Sequence, residues 1–188
     1  MSSAYPCVVV LVAVLATGSR SHADDRPISV TLTERPEHVT RGTVIVDAPP
    51  AEVYALVTDY ANWPRILGDI RAVKVESGGS RDARVKLRST ALKYEATVQF
   101  DNEEGRAIRF HGIKGPPGGR ARGAYVLTPL DGGTRTLVTA DLYLDVVGAP
   151  GLFVSDKQTR GMRQAKLRAD LGDVAGWFAT HRRSQPSS

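Results

Sequence analysis

Few side chains in this sequence stand at spacings that support chemistry. His38, His111 and His181 follow no metal-ligand spacing, and no His-Glu-x-x-His run occurs, so no metal site is expected. His111 alternates with Phe110, which places it on a solvent-facing side. Asp141 and Asp145 alternate onto one strand face, about 13 Å apart at ~3.3 Å per residue. That is too wide for two carboxylates to share a proton, and pairing with neighbouring arginine is the expected role. Tyr94, Tyr125 and Tyr143 carry hydroxyls that could reach a ligand or serve as core and edge aromatics. Gly78-Gly79 is too short for a phosphate cradle. Lys157, Arg160, Arg163 and Lys166 recur at helical spacing and could touch anionic lipid heads or form a solvated face. No nucleophile or acid–base pair emerges, so no catalytic residue and no cofactor is assigned.

The elements that must position any site begin after an N-terminal segment of different character. Val8 to Ala16 is almost wholly apolar and is followed by Ser21-His22-Ala23, a small-residue pattern that suits export and cleavage after Ala23. The run is shorter than the ~20 residues needed to span a bilayer. Residues 1–23 therefore read as a signal peptide, with an uncleaved anchor as the alternative, and the expected location is periplasmic or secreted. Cleavage removes Cys7, the one cysteine, so disulfide and thiolate schemes fall away. It also removes Arg20, the only charged residue there, so the net charge falls from +5 to +4. The remaining charges are interspersed, and with no aromatic–basic platform nucleic-acid binding is not expected. The 19 arginines against 6 lysines point to a GC-rich bacterial source.

The rest reads as one α+β unit. Ile28, Val30 and Leu32 alternate with polar residues as a short leading strand in an extension over 24–37. A strand over Val39–Val46 follows, then Pro49-Pro50 at a helix start, where a missing N–H is tolerated. Val53, Leu56 and Val57 form that helix's apolar stripe. Pro64 disfavours a helical Trp63 and breaks the chain before a second short helix. Six strands are expected near Ala72–Glu76, Ala83–Ser89, Tyr94–Phe100, Ala107–Ile113, Arg120–Thr128 and Arg135–Val146. Their alternation, clearest in Val138, Ala140, Leu142, Leu144 and Val146, describes an antiparallel sheet buried on one face. Ser155 to Gln158 reads as a capping box opening a long helix in which Leu167, Leu171, Val174 and Phe178 share a face. Residues 182–188 read as a disordered tail.

Ala48-Pro49-Pro50-Ala51-Glu52-Val53-Tyr54, Val57-Thr58-Asp59-Tyr60 and Trp63-Pro64, together with the capped final helix, resemble the START-like (SRPBCC) superfamily. The nearest resemblance is to its polyketide cyclase/dehydrase and coenzyme Q-binding branch, over about residues 38–180. It implies a helix-grip domain over 38–181, a curved sheet of about seven strands wrapped around the long C-terminal helix. It also implies a cavity for a hydrophobic small molecule between the two. It places no catalytic residue.

The inward rows supply the expected cavity lining: Val85, Leu87, Tyr94, Val98 and Phe100, then Ile108, Phe110, Tyr125, Leu142 and Leu144. From the helix come Ala165, Ala169 and Gly172, a small-residue stripe that leaves room for a ligand or brings backbones into contact. Alternating hairpins put several loops at one end as a mouth. Leu67, Ile70, Ile113, Lys114, Pro116 and Pro117 belong to it, with Gly148, Pro150, Leu152 and Phe153 before the helix.

The preferred expectation is an exported, monomeric carrier for a lipid, sterol, hopanoid or quinone, with transient contact to an anionic membrane surface. A polyketide cyclase or dehydratase-like enzyme is one alternative, and a ligand-free envelope interaction module another.

Overall fold

The computed structural model describes residues 28–79, 81–90, 95–115, 119–145 and 155–182. Tyr94, Pro116, Pro117, Gly148, Pro150, Leu152, Phe153, the leader and residues 183–188 lie outside the described residues, while Arg182, expected to open the tail, is still helical.

Eight antiparallel strands form one sheet: β1 (Thr31–Arg35), β2 (Val39–Val46), β3 (Ile70–Gly78), β4 (Asp82–Ser89), β5 (Glu95–Glu103), β6 (Ala107–Lys114), β7 (Arg120–Leu130) and β8 (Arg135–Asp145). Their order across the sheet is β1-β2-β8-β7-β6-β5-β4-β3, so β3 to β8 run as a meander that returns to β2. The leading strand starts three residues later than the Ile28–Leu32 alternation suggests, because Thr31 to Arg35 pairs residue for residue with Thr43 to Val39. Register shifts on β3 against β4, and on β6 against β5, place bulges that deepen the sheet's curl.

Between β2 and β3 run α1 (Pro50–Thr58), a 3₁₀ turn (Tyr60–Asn62) and α2 (Trp63–Ile66). Pro50 opens α1 as expected, and Val53 and Val57 are its buried residues. Trp63 departs from expectation: it is helical (φ −50°, ψ −36°) although Pro64 follows. The local steric bias yields to tertiary contacts. The indole N–H donates to the Val57 carbonyl at 3.0 Å, and the ring meets Tyr60 and Phe100 edge-on at 5.1 and 5.4 Å.

The long helix, α3 (Asp156–Arg182), lies against β2 and β8 inside the curl. Its start is a reciprocal capping box. The Gln158 N–H donates to Ser155 Oγ (3.3 Å), and the Ser155 N–H donates to Gln158 Oε1 (2.8 Å). Leu167, Leu171, Val174 and Phe178 are buried, and the core runs on through Val44, Val46, Val53, Ile108 and Val138. Contact with β2 is close at Gly42, where an added Cβ would lie 2.7 Å from Leu171 Cδ1.

Candidate functional site

Towards one end of the sheet, α3 stands off the strands and leaves a cavity of about 400 Å³. Its walls are overwhelmingly apolar. Trp63, Leu67 and Ile70 come from α2 and the start of β3; Leu87, Ala96, Val98 and Phe100 from β4 and β5. Phe110, Ala121, Tyr125, Leu142 and Leu144 come from β6 to β8, and Met162, Ala165, Leu167 and Ala169 from α3. An aromatic row crosses the sheet along this surface: Phe100 to Phe110 and Phe110 to Tyr125 each stand 6.0 Å apart between ring centres. The row needs Gly123, beneath Phe110. A Cβ there would come within 2.4 Å of the Phe110 ring and 2.3 Å of the Asp141 carbonyl oxygen.

Of the residues expected in the lining, Leu87, Val98, Phe100, Phe110, Tyr125, Leu142, Leu144, Ala165 and Ala169 meet in the cavity wall. Val85 and Ile108 do not; they are fully buried in solid core. Gly172 is also outside the lining, and a Cβ there would meet nothing within 4 Å. The cavity stops a half-turn earlier on α3, at Asp170, and just beyond, the Gly68 N–H donates to Asp173 Oδ2 at 2.8 Å. Leu67 and Ile70, expected as rim, are buried wall residues. Ile113 and Lys114 lie on β6 itself, exposed and away from the cavity, because that strand runs two residues past the glycine where a loop was expected to begin.

The polar part of the wall is the principal surprise. Lys166 and Asp170, four residues apart on α3, face inward with Asp69, from the turn before β3. The Lys166 ammonium lies 3.1 and 2.9 Å from the two oxygens of Asp69 and 2.7 Å from Asp170 Oδ1. The Tyr125 hydroxyl donates to the other Asp170 oxygen at 3.3 Å. Burial raises the Asp170 carboxyl above its ordinary range, with the Lys166 charge opposing. Burial and the Asp170 charge push the Tyr125 phenol well up. Burial works against the Lys166 charge, but the two carboxylates outweigh it and its pKa is raised.

The sequence reading set Lys157, Arg160, Arg163 and Lys166 on one face, and helix geometry overturns this. At 3.6 residues per turn each three-residue step falls short by about 60°, so Lys157 and Lys166 point in opposite directions. Lys157 and Arg160 are exposed. Arg163 is fully buried, donating to Thr40 Oγ1 (3.0 Å), the Leu144 carbonyl (3.3 Å) and Glu34 Oε2 (3.5 Å). Glu34 also accepts from Thr40 (2.9 Å) and Gln164 (3.0 Å). Burial alone would raise the Glu34 carboxyl, but these hydrogen bonds and the Arg163 charge hold it below its ordinary value.

Asp141, expected to pair with arginine, accepts two hydrogen bonds from Arg41 at 2.7 and 2.6 Å. Tyr143 lies under the Arg122 guanidinium, 4.4 Å from ring centre, and His111 is exposed. A second, more open cleft of about 440 Å³ lies beside Tyr54, Thr58, Asn102 and Gly79, at the hydrophilic-turn end. Among the described residues no His, Cys, Asp and Glu group could hold a metal ion, and no helix is long and apolar enough to cross a membrane.

A family model described as polyketide cyclase/dehydrase and lipid transport matches residues 37–176. Among solved structures, the Zhui aromatase/cyclase from a Streptomyces species is 23% identical with a TM-score of 0.64, over 78% of this chain and 96% of that one. A START superfamily protein from Mycobacterium smegmatis is 16% identical with a TM-score of 0.64, over 77% of this chain and 99% of its own. A STAR-related lipid transfer protein fragment from Xanthomonas axonopodis is 16% identical with a TM-score of 0.63, over 84% and 97%. At these identities the likeness concerns the fold. Among curated proteins, no relative matches this chain.

Proposed function

The chain belongs to the polyketide cyclase/dehydrase and lipid transport family of the START-like superfamily, and on that premise we propose that it is an exported carrier for an apolar or amphipathic small molecule. The observation that carries this reading is the cavity of about 400 Å³ between sheet and helix, walled almost wholly by aliphatic and aromatic side chains. Removing apolar surface from water there would supply the binding energy, at roughly 25 cal/mol per Å². Export, to periplasm or medium, rests on the leader-like residues 1–23, and the protein is proposed to act as a monomer. Of Lys157, Arg160, Arg163 and Lys166, the first two would remain for contact with an anionic membrane surface, because Arg163 and Lys166 turn inward. Native mass spectrometry of protein extracted gently from its source organism tests the proposal: a co-purifying apolar molecule supports it. Protein that is always empty and takes up no apolar probe would sink it.

A second reading, an enzyme of the cyclase or dehydratase kind, is favoured by one observation. Asp170 and Tyr125 are titratable groups raised by burial, hydrogen-bonded to each other at a cavity wall, as general acid–base work requires. The mass of the molecule released after incubation separates the readings, since a carrier returns its cargo unchanged.

A further inference from the structure

The polar end of the cavity has a hydrogen-bond inventory that restricts what can sit against it. An ammonium has three donors and no acceptor, and a carboxylate accepts only. Lys166 donates to one oxygen of Asp69 and one of Asp170 and lies 2.9 Å from the second Asp69 oxygen, so its ammonium is turned onto the two carboxylates. The single donor of Tyr125 goes to Asp170. Ser89, also in the lining, has an interaction of its own. Asp141 borders the cavity, but Arg41 binds and balances its carboxylate. The cluster therefore presents spare lone pairs on two carboxylates and a phenol oxygen. Its one positive charge stands against two negative ones.

Resting on the carrier reading above, we propose that the cargo bears a neutral hydrogen-bond-donating head, an alcohol or phenol, which donates to the Asp69–Lys166–Asp170–Tyr125 cluster while its apolar body fills the cavity. A fatty acid or anionic lipid would bring a second negative charge to a site already in surplus. An ester, ether or quinone would bring acceptors to a wall whose phenol already donates to Asp170 and whose ammonium is turned onto its own carboxylates. Either mismatch leaves buried polar groups unpaired, and sites built around a hydrogen bond reject ligands that cannot make it far more sharply than sites that merely count methylenes. This narrows the class from lipids and quinones in general to hydroxylated polycyclic or long-chain molecules.

The test uses three fluorescent probes with one body and three heads: pyrenebutanol, its methyl ether and pyrenebutyric acid. They are titrated into the purified full chain at pH 8, where the acid is ionised. The alcohol is expected to bind at least about tenfold tighter than either of the others, a difference of roughly 1.4 kcal/mol. Asp170→Asn, which adds donors where the wild type has only acceptors, is expected to shrink the preference for alcohol over ether. Should that variant fail to fold, the wild-type comparison stands by itself. Equal binding of all three, or preference for the acid or the ether, overturns the assignment of the head while leaving the carrier reading intact. Binding of none overturns both.

Discussion

The most demanding consequence of this packing concerns the buried pair that joins the leading strand to α3. The Arg163 side chain is 2% exposed, whereas that of Glu34 is 33% exposed. The two ends of one ion pair are therefore not equivalent. In Glu34→Gln the guanidinium keeps Thr40 and the Leu144 carbonyl but loses its counter-charge while staying buried. Removing one partner of a buried pair costs about 3–5 kcal/mol, and the 3.5 Å separation with Glu34 partly wet puts this case near the lower end, at about 3 kcal/mol. In Arg163→Met the stem volume is retained and no buried charge is left behind. Glu34 keeps Thr40 and Gln164 and can hydrate, so the main loss is the unpaired Leu144 carbonyl, about 1–2 kcal/mol. The double variant is expected to cost no more than Arg163→Met alone, a coupling of about 3 kcal/mol. Urea denaturation at neutral pH measures all three, and each kcal/mol corresponds to about 2–4 °C in Tm for a chain of this size. The pH dependence carries a sign. Glu34's folded pKa is below its ordinary value of 4.5, so its contribution is present above that value and fades as pH falls through the folded pKa. Wild type should lose it on acidification and Glu34→Gln should not. A more damaging Arg163→Met, or two effects that add, would refute this asymmetry between the two ends of the pair.

Three further outcomes follow from the cavity. Gly123→Ala is expected to lose about 1–3 kcal/mol by chemical denaturation, because the new methyl group collides with the Phe110 ring and the Asp141 carbonyl; an unchanged midpoint would contradict that close approach. Ala169→Phe, at an exposed position bordering the cavity, should stay within about 0.5 kcal/mol of wild type in urea while weakening pyrenebutanol binding at least about tenfold; undiminished affinity would place the ligand elsewhere. Lys166 has a folded pKa above its ordinary value of 10.5, so the stability it adds is complete below that value and lost as pH rises through the folded pKa. The Tm difference between wild type and Lys166→Met should shrink over that alkaline window, and a constant difference would mean that the ammonium is not what holds Asp69 and Asp170 together.

The scaffold was readable because its signals are local. Alternation along Val138 to Leu144 assigns the inner face of β8, and Ser155 with Gln158 marks the start of α3 within four residues. The cavity wall was readable wherever it follows from strand parity, as at Leu87, Val98 and Phe110. Parity does not tell void from core, which is why Val85 and Ile108 were placed in the lining. That distinction depends on how far α3 stands from each strand. The polar cluster was missed for a related reason. Charged side chains at helical spacing read as a wet face by default, and Asp69 lies 97 residues from its partner Lys166. A signal was present nonetheless: stepping back from Leu171 and Val174 along the buried stripe reaches Asp170, Leu167 and then Arg163, so charged positions fall on the face that packs inward.

The Glu34–Arg163 pair also bears on where the folding unit begins. The family match starts at residue 37, after β1 has ended, and stops at 176, short of the buried Phe178. A chain trimmed to those limits would lack the carboxylate that answers a fully enclosed guanidinium, and the final aromatic contact of α3. Sequence similarity and structural self-sufficiency thus have different borders in this protein. The leading strand, which could pass for a dispensable leader remnant, is the part that makes the long helix electrically complete.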